Sequence, residues 1–167
     1  MDDRTGQDGT FEFEGSQTIR SSHLPLAVEG RHRHQGWVRT NKVQSHCRLR
    51  GSRGRVVWRA RDANNYYVAR ANALEDNVVL YKTVEGVRSA LDIVGRKGGY
   101  GVAISVPANA WLTLRVEFKG NRFRVLYNGR QLFEVEDSTF PAAGKVGLWT
   151  KADSVTLFDE VTYGVAK

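Results

Sequence analysis

The sequence predicts an all-β fold, an antiparallel two-sheet β-sandwich, on three observations. From residue 56 onward, short runs rich in β-branched and aromatic residues follow one another at the spacing typical of sandwiches. Pairs such as Asn64-Asn65 and Asn128-Gly129 separate neighbouring runs by about two residues, as tight hairpin turns do. No stretch carries the apolar period of a helix over the roughly 10–15 residues that a parallel sheet with crossover helices requires.

The predicted strands span residues 56–61, 66–72, 78–84, 87–94, 101–106, 112–119, 122–127, 130–136, 145–150 and 155–163. Apolar and polar residues alternate from Leu112 to Phe118, which predicts a strand with one face in the core. Asn-Gly favours the positive φ angles of a type I′ turn, so the strands on either side of residues 128–129 are predicted to form a hairpin. Trp58 and Trp111 are predicted in the core, whereas Trp149 fits either the core or a binding surface.

Length and composition are those of one ordinary domain. The 167 residues are 41% hydrophobic and 26% charged, which excludes wholesale disorder. No apolar run reaches the roughly 18 residues of a membrane-spanning helix, and the first eight residues lack the pattern of a signal peptide, so neither is expected in this chain. The single Cys47 excludes an internal disulfide and leaves the compartment open.

The basic character of the chain is confined to one segment. Residues 30–61 hold 10 of the 25 Lys and Arg and none of the 18 Asp and Glu, so the rest of the chain is slightly acidic. Residues 31–54 show no sustained period of 2 or 3.6 and are predicted to be irregular. The sequence therefore predicts an atypical N-terminal segment over residues 1–54, either a genuine basic arm or a stretch read out of frame, followed by a sandwich domain over residues 55–167.

A candidate binding surface comes from the alternation of faces within residues 56–84. The residues predicted to share one face are Arg59, Arg61, Tyr66, Arg70, Asn72, Asn77 and Tyr81. Arg and Asn offer forked donors that match vicinal hydroxyls or a carboxylate, and Tyr offers a flat apolar ring with a hydroxyl tip. This set predicts a site for a glycan or small sugar. In the alternative interpretation, the same side chains cover a solvated sheet face and form ion pairs with Asp62, Glu75 or Asp76.

Two groups of residues resemble one branch of the concanavalin A-like jelly rolls, the 3-keto-disaccharide hydrolase-like family, which has laminin-G-like relatives. The groups are Trp58-Arg59-Ala60-Arg61-Asp62 with Asn65-Tyr66-Tyr67, and Gly144-Lys145-Val146-Gly147-Leu148-Trp149. The resemblance covers roughly residues 55–163. It implies two antiparallel sheets with a concave, sugar-sized face, a carbohydrate-binding or glycosidase-like function, and a protein that could be exported or periplasmic. Gly30 to Arg39 departs from the apolar strands that the family places there.

Hydrolysis of glycosides, including 3-keto-disaccharides, is the first alternative to simple binding. The nearest match to the alternating acids of jelly-roll glycosidases is Glu134-Val135-Glu136, which lies beside the predicted core residue Phe133. The two glutamates are therefore predicted to be solvated, and the catalytic residues of a hydrolase stay unknown. Nucleic-acid binding through the basic residues 30–61 is the second alternative, although no known binding module appears there.

No cofactor is predicted. His32, His34, His46 and Cys47 lie close together in sequence but lack the fixed spacing of a zinc site. No cluster of oxygen ligands has the ordered spacing of a calcium loop. The sequence predicts neither the identity of the glycan nor the oligomeric state.

Overall fold

The computed structural model describes residues 17–20, 26–28, 36–45, 53–149 and 155–165. These residues form β1 (Gln17–Arg20), β2 (Leu26–Val28), β3 (Gly36–Ser45), β4 (Arg53–Asp62), β5 (Asn65–Asn72), β6 (Asn77–Val84), β7 (Val87–Ala90), β8 (Val102–Ala103), β9 (Trp111–Lys119), β10 (Arg122–Tyr127), β11 (Arg130–Glu136), β12 (Lys145–Trp149) and β13 (Val155–Val165). None of the described residues is helical, and accordingly none belongs to a helix long and apolar enough to cross a membrane.

The strands form two antiparallel sheets. The first sheet has the order β1-β13-β3-β9-β10-β11, and the second has the order β2-β12-β4-β5-β6-β7, with β8 also paired to β6. The chain passes from one sheet to the other between some consecutive strands. β3 lies in the first sheet and β4 in the second, and β12 lies in the second sheet and β13 in the first. The predicted fold class, a two-sheet jelly-roll sandwich, is confirmed.

The core lies between the two sheets and is dominated by aromatic rings. Trp58 and Tyr67 from the second sheet pack against Phe123 from the first, with ring centroids 5.6 and 4.7 Å apart. The predicted inward residues from Leu112 to Phe118 are buried, as expected for alternation along a strand. Trp58 is fully buried as predicted, but the prediction for Trp111 is wrong because this side chain at the start of β9 is 39% exposed.

The N-terminal segment contributes strands to both sheets. The prediction that residues 31–54 are irregular is wrong for Gly36–Ser45, because β3 pairs with β13 on one side and with β9 on the other. Backbone hydrogen bonds to two neighbours define this strand without the apolar alternation on which sequence interpretation depends. His32, His34, His46 and Cys47 lie outside the described residues, and the division of the chain near residue 54 stays a prediction.

A β-bulge interrupts the strict alternation of β4. Arg59 has a φ of 48°, and the pairing with β5 shifts between Trp58 and Asp62. Gly144 makes room for the bulge, because a Cβ there would lie 2.6 Å from the Arg59 carbonyl carbon. Strict alternation along the strand predicts one face for Trp58 and Ala60, and the bulge makes this wrong: Trp58 lies in the core, while Ala60 packs against residues on the opposite side of the sheet.

Glycines shorten the next predicted strands. Residues 87–94 and 101–106 are strand only over Val87–Ala90 and Val102–Ala103. Between them, Gly95, Gly98, Gly99 and Gly101 all have positive φ angles, which favour a loop over an extended ladder. A Cβ at Gly101 would also clash with the carbonyl oxygen of Val78, so the loop approaches β6 closely.

A polar network links the two sheets at one end of the core. Asp137, which follows β11 of the first sheet, accepts hydrogen bonds from Tyr67 at 2.6 Å and from Lys82 at 2.8 Å, both in the second sheet. Lys82 also donates to the Thr139 hydroxyl at 2.9 Å. Burial alone raises the pKa of Asp137, but the hydrogen bonds from Lys82, Thr139 and Tyr67 outweigh it, so the pKa lies below its usual value.

We predict that Asp137→Asn lowers the free energy of unfolding at pH 7 by about 2 kcal/mol, because it removes charge-assisted hydrogen bonds that join the sheets. The ionised carboxylate stabilises the fold fully above about pH 4, its unfolded pKa, and this contribution is lost as the pH falls through the lower pKa of the folded state. Urea unfolding measured from pH 3 to 7 should show a smaller pH dependence for the variant. Glu136→Gln, at an exposed ion pair, should change stability by less than about 0.5 kcal/mol; equal losses in both variants would contradict the prediction.

Candidate functional site

The candidate site is the outer face of the second sheet, meaning the side turned away from the core. Cross-strand pairs fix its members, because Val57 pairs with Val68 and Val68 pairs with Tyr81, so all three point to the same side. Together with Tyr66 and Val79 they form a separate buried cluster, which we name the apolar floor. Polar residues continue the same face along the strands: Arg55, Arg70, Asn72, Asn77 and Thr83.

Arg70 is the centre of the polar part of this face. It is buried, and its Nη2 lies 2.7 Å from Glu75 Oε2, 3.2 Å from Asn77 Oδ1 and 3.2 Å from the Tyr100 hydroxyl. Its guanidinium also packs near the Tyr81 ring, 5.3 Å from the centroid. These contacts hold the guanidinium in one orientation, which is what a preorganised binding group requires.

Burial and the neighbouring polar groups shift the pKa values of Glu75 and Tyr81 away from their usual values. Burial tends to raise the pKa of Glu75, but hydrogen bonds from Asn77 and the charge and hydrogen bond of Arg70 outweigh it and lower the pKa. Burial, followed by the hydrogen bond to Tyr100, raises the pKa of Tyr81. At neutral pH the face therefore presents an ionised Glu75 carboxylate and a neutral Tyr81 phenol.

On the described outer face, Arg70 Nε, Asn72 Nδ2 and Thr83 Oγ1 are buried polar atoms without a hydrogen-bond partner. Buried polar groups in native proteins are nearly always paired, and each unpaired one costs about 1–3 kcal/mol. Tyr100, on the glycine-rich loop, lies 3.2 Å from Arg70 Nη2 through its hydroxyl and is 51% exposed. A ligand rich in hydroxyl groups that displaces the Tyr100 side chain would supply the missing partners of Arg70 and Asn72.

A second group of rings and cations borders the apolar floor. The Arg55 guanidinium lies 3.5 Å from the centroid of the Trp149 ring, and the Arg88 guanidinium lies 4.8 Å from it. Arg88 also donates to the Tyr66 hydroxyl at 3.1 Å. Trp149, which the sequence left open between core and surface, therefore belongs to this border.

The structure brings five of the seven predicted site residues together on the outer face: Tyr66, Arg70, Asn72, Asn77 and Tyr81. Their predicted roles in binding stay predictions. The alternative interpretation is partly realised, since Arg70 does form an ion pair with Glu75, but these side chains are buried and not solvated.

Arg59 and Arg61 lie elsewhere because of the bulge in β4. Arg59 is buried at the end of the core, where it donates to the carbonyl oxygens of Phe140 at 3.0 Å and Gly120 at 2.6 Å, and burial lowers its pKa. Arg61 is exposed and stacks over the ring of Phe140, a core residue, with 5.1 Å to the centroid. The prediction that both share the face of Tyr66 is therefore wrong in geometry.

Sequence reasoning missed three further residues of the outer face and its border, Arg55, Arg88 and Tyr100, and it left Thr83 out of the site although alternation places Thr83 on the face of Tyr81. Arg55 and Thr83 follow from the alternation, which extends backward from Val57 and forward from Tyr81. Arg88 reaches the face by pairing with Thr83, and Tyr100 reaches it from the glycine-rich loop. No local pattern in the sequence marks these last two.

The two glutamates considered for hydrolysis lie apart from this face. Glu134 and Glu136 are on the first sheet, where both form ion pairs with Arg122. Of the basic segment 30–61, Arg55 and Arg59 are buried. Within the described residues, no group of three His, Cys, Asp or Glu side chains could hold a metal ion.

Solved structures with the same fold include proteins that bind or act on carbohydrates. A carbohydrate-binding module, CBM66 from Bacillus subtilis, matches 95% of this chain and 92% of its own, with 21% identity and a TM-score of 0.68. A galectin of Caenorhabditis elegans matches 92% of this chain and 99% of its own, with 13% identity and a TM-score of 0.57. A xylan β-1,4-xylosidase from Bacillus halodurans matches 89% of this chain but only 32% of its own, with 12% identity and a TM-score of 0.59.

At these identities the likeness shows the jelly-roll fold. No family profile matches the chain, and no curated protein matches its sequence. The function must therefore be argued from the outer face itself.

We predict that Thr83→Val raises the stability of the ligand-free protein by about 1 kcal/mol and weakens ligand binding. The substitution replaces a buried, unpartnered hydroxyl by a methyl group of similar size, which removes a desolvation cost and a group available to a ligand. Thermal unfolding without ligand measures the first effect. Thr139→Val is the matched control, because the Thr139 hydroxyl accepts a hydrogen bond from Lys82 and its loss should destabilise the protein. A less stable Thr83→Val variant would contradict the prediction.

Proposed function

We propose that this chain is a carbohydrate-binding jelly-roll domain whose outer face binds a glycan or a small sugar. The single observation that carries the proposal is the pair of unpartnered buried atoms on Arg70 and Asn72, close to the rings of Tyr81 and Tyr100, with the unpartnered Thr83 hydroxyl further along the same face. A sugar offers hydroxyl groups to the polar atoms and an apolar C–H face to the rings, so one ligand satisfies both features.

The roles of the residues follow from their geometry. The Arg70 guanidinium donates to sugar hydroxyls while Glu75 and Asn77 hold its orientation. Asn72 donates through Nδ2, since its Oδ1 already accepts the backbone N–H of Leu74 at 3.1 Å. Tyr100 leaves its place over Arg70 and provides a stacking surface at the rim. The similar folds of CBM66 and the galectin support a sugar as the ligand class.

The proposed domain binds without hydrolysing. A glycosidase needs two carboxyl groups about 5–9.5 Å apart across the scissile bond. In the part of the chain that the structure describes, Glu75 is the carboxylate bonded into the outer-face cluster, and it is held in an ion pair with Arg70. Its neighbour Asp76 accepts the backbone N–H of Val106 at 2.8 Å and fixes a loop. We also propose that the chain belongs to the 3-keto-disaccharide hydrolase-like family. In this proposal it shares the fold of that family but binds a sugar without hydrolysing it.

We predict that Arg70→Lys weakens glycan binding about tenfold. Lysine keeps the charge beside Glu75 but loses the forked donors that match vicinal hydroxyls, and tenfold corresponds to about 1.4 kcal/mol. A glycan array identifies the ligand, calorimetry measures its affinity, and circular dichroism checks the fold. Arg61→Lys is the matched control, because this arginine lies by Phe140 and away from the outer face.

Equal losses of affinity in the Arg61 and Arg70 variants would contradict the assignment of the site. An array without any bound glycan would contradict the function itself. Incubating each bound glycan and a 3-keto-disaccharide with the protein distinguishes a binding domain from a hydrolase, and turnover would overturn the non-catalytic part of the proposal.

A further inference from the structure

The Arg88 guanidinium is fixed in position on the outer face by contacts with aromatic side chains. Its Nη2 donates to the Tyr66 hydroxyl at 3.1 Å. Its guanidinium carbon lies 4.8 Å from the centroid of the Trp149 ring and 5.8 Å from that of the Tyr81 ring. It is exposed to solvent, and within the described residues no carboxylate forms a salt bridge with it.

Stacking on aromatic rings uses the face of a guanidinium and leaves the N–H groups at its edge available. Those N–H groups form a rigid fork that matches a carboxylate or sulfate in a bidentate way. Trp149 and Tyr66 hold the fork in place, so little side-chain entropy remains to be lost when an anion binds.

The charges of the described residues around this subsite are unbalanced in the same sense. Arg70 and Arg88 contribute two guanidinium groups, whereas Glu75 contributes one carboxylate, which is already paired with Arg70. A neutral sugar would leave this excess of positive charge beside a buried apolar floor. An anionic group on the ligand would be attracted to it, and the attraction would be screened by salt.

We infer that the ligand of the outer face is an anionic sugar, one that carries a carboxylate or a sulfate, and that Arg88 binds its anionic group. The inference rests on the proposed function, because it assigns the charged subsite of the same face. The sugar ring lies over Arg70, Asn72 and Tyr81, and its anionic group reaches toward Arg88 and Trp149. Arg88 thereby determines specificity between charged and neutral glycans of the same backbone.

The experiment compares each anionic oligosaccharide with its neutral counterpart by calorimetry. The probes are oligomers of galacturonate, alginate and hyaluronan beside their carboxyl-reduced forms, and chondroitin sulfate beside its desulfated form. We expect the wild-type protein to bind at least one anionic probe ten times or more tightly than its neutral form, with a preference that shrinks between 50 and about 300 mM salt. A preference in the carboxylate arm or in the sulfate arm identifies which anion the site takes.

Arg88→Gln tests whether this residue is responsible. We expect the variant to lose the preference, binding anionic and neutral forms within about twofold of each other, while its affinity for the neutral form stays within about twofold of wild type. Arg130→Gln, at an exposed arginine in the hairpin of the first sheet, is the matched control and should keep the full preference.

The outcomes separate the inference from the proposed function. Equal binding of anionic and neutral forms by the wild-type protein overturns the inference and leaves carbohydrate binding standing. A preference that survives in Arg88→Gln overturns the assignment of the anion to this residue. Failure of every probe and of the glycan array overturns the proposed function, and the inference falls with it.

Discussion

The alternation of side chains along β4, β5 and β6 is the constraint on which both the core and the candidate site depend. Because Tyr67 and Leu80 point into the core, their neighbours Val68 and Tyr81 must point outward. A slip of one residue would exchange the two faces and place Arg70 in the core, so the packing of the sandwich fixes which groups a ligand meets. The one exception, the bulge at Arg59, turns a cation into the end of the core and leaves the outer face to the residues beyond it.

The outer face is costly to the folded protein. The unpartnered Nε of Arg70, Nδ2 of Asn72 and hydroxyl of Thr83 lower stability, whereas an apolar face of the same shape would not. The aromatic rings of Trp149, Tyr81 and Tyr100 offset part of this cost by stacking on the arginines, and they hold the donors in fixed positions. Stability lost in the free protein and preorganisation gained for a ligand are two consequences of the same arrangement.

The sequence predicted the fold and placed five of the seven candidate site residues on the outer face, because both depend on a two-residue period and on tight turns. Tyr66, Arg70 and Asn72 share one strand, so their common face could be read directly. Arg59 was misplaced because a bulge depends on a positive φ and on the close approach of Gly144, which no local pattern reveals. Strand β3 was missed because backbone pairing with two neighbours, and not apolar alternation, defines it. Arg88 and Trp149 come from strands far apart in sequence, with three strands between them in the sheet, so they meet only because their long side chains reach toward each other over the outer face.

A sugar bound to the outer face is expected to supply hydrogen-bond partners to the polar groups that lack them. NMR observes those groups directly. The side-chain Nε–H signal of Arg70 and the Nδ2 signals of Asn72, assigned with single variants, are followed while the array-identified glycan is added. We expect these signals to shift until the protein is saturated with glycan, while the signals of Arg59 and Arg61 do not change. Shifts concentrated on residues of the first sheet, with Arg70 and Asn72 unmoved by a bound glycan, would contradict it.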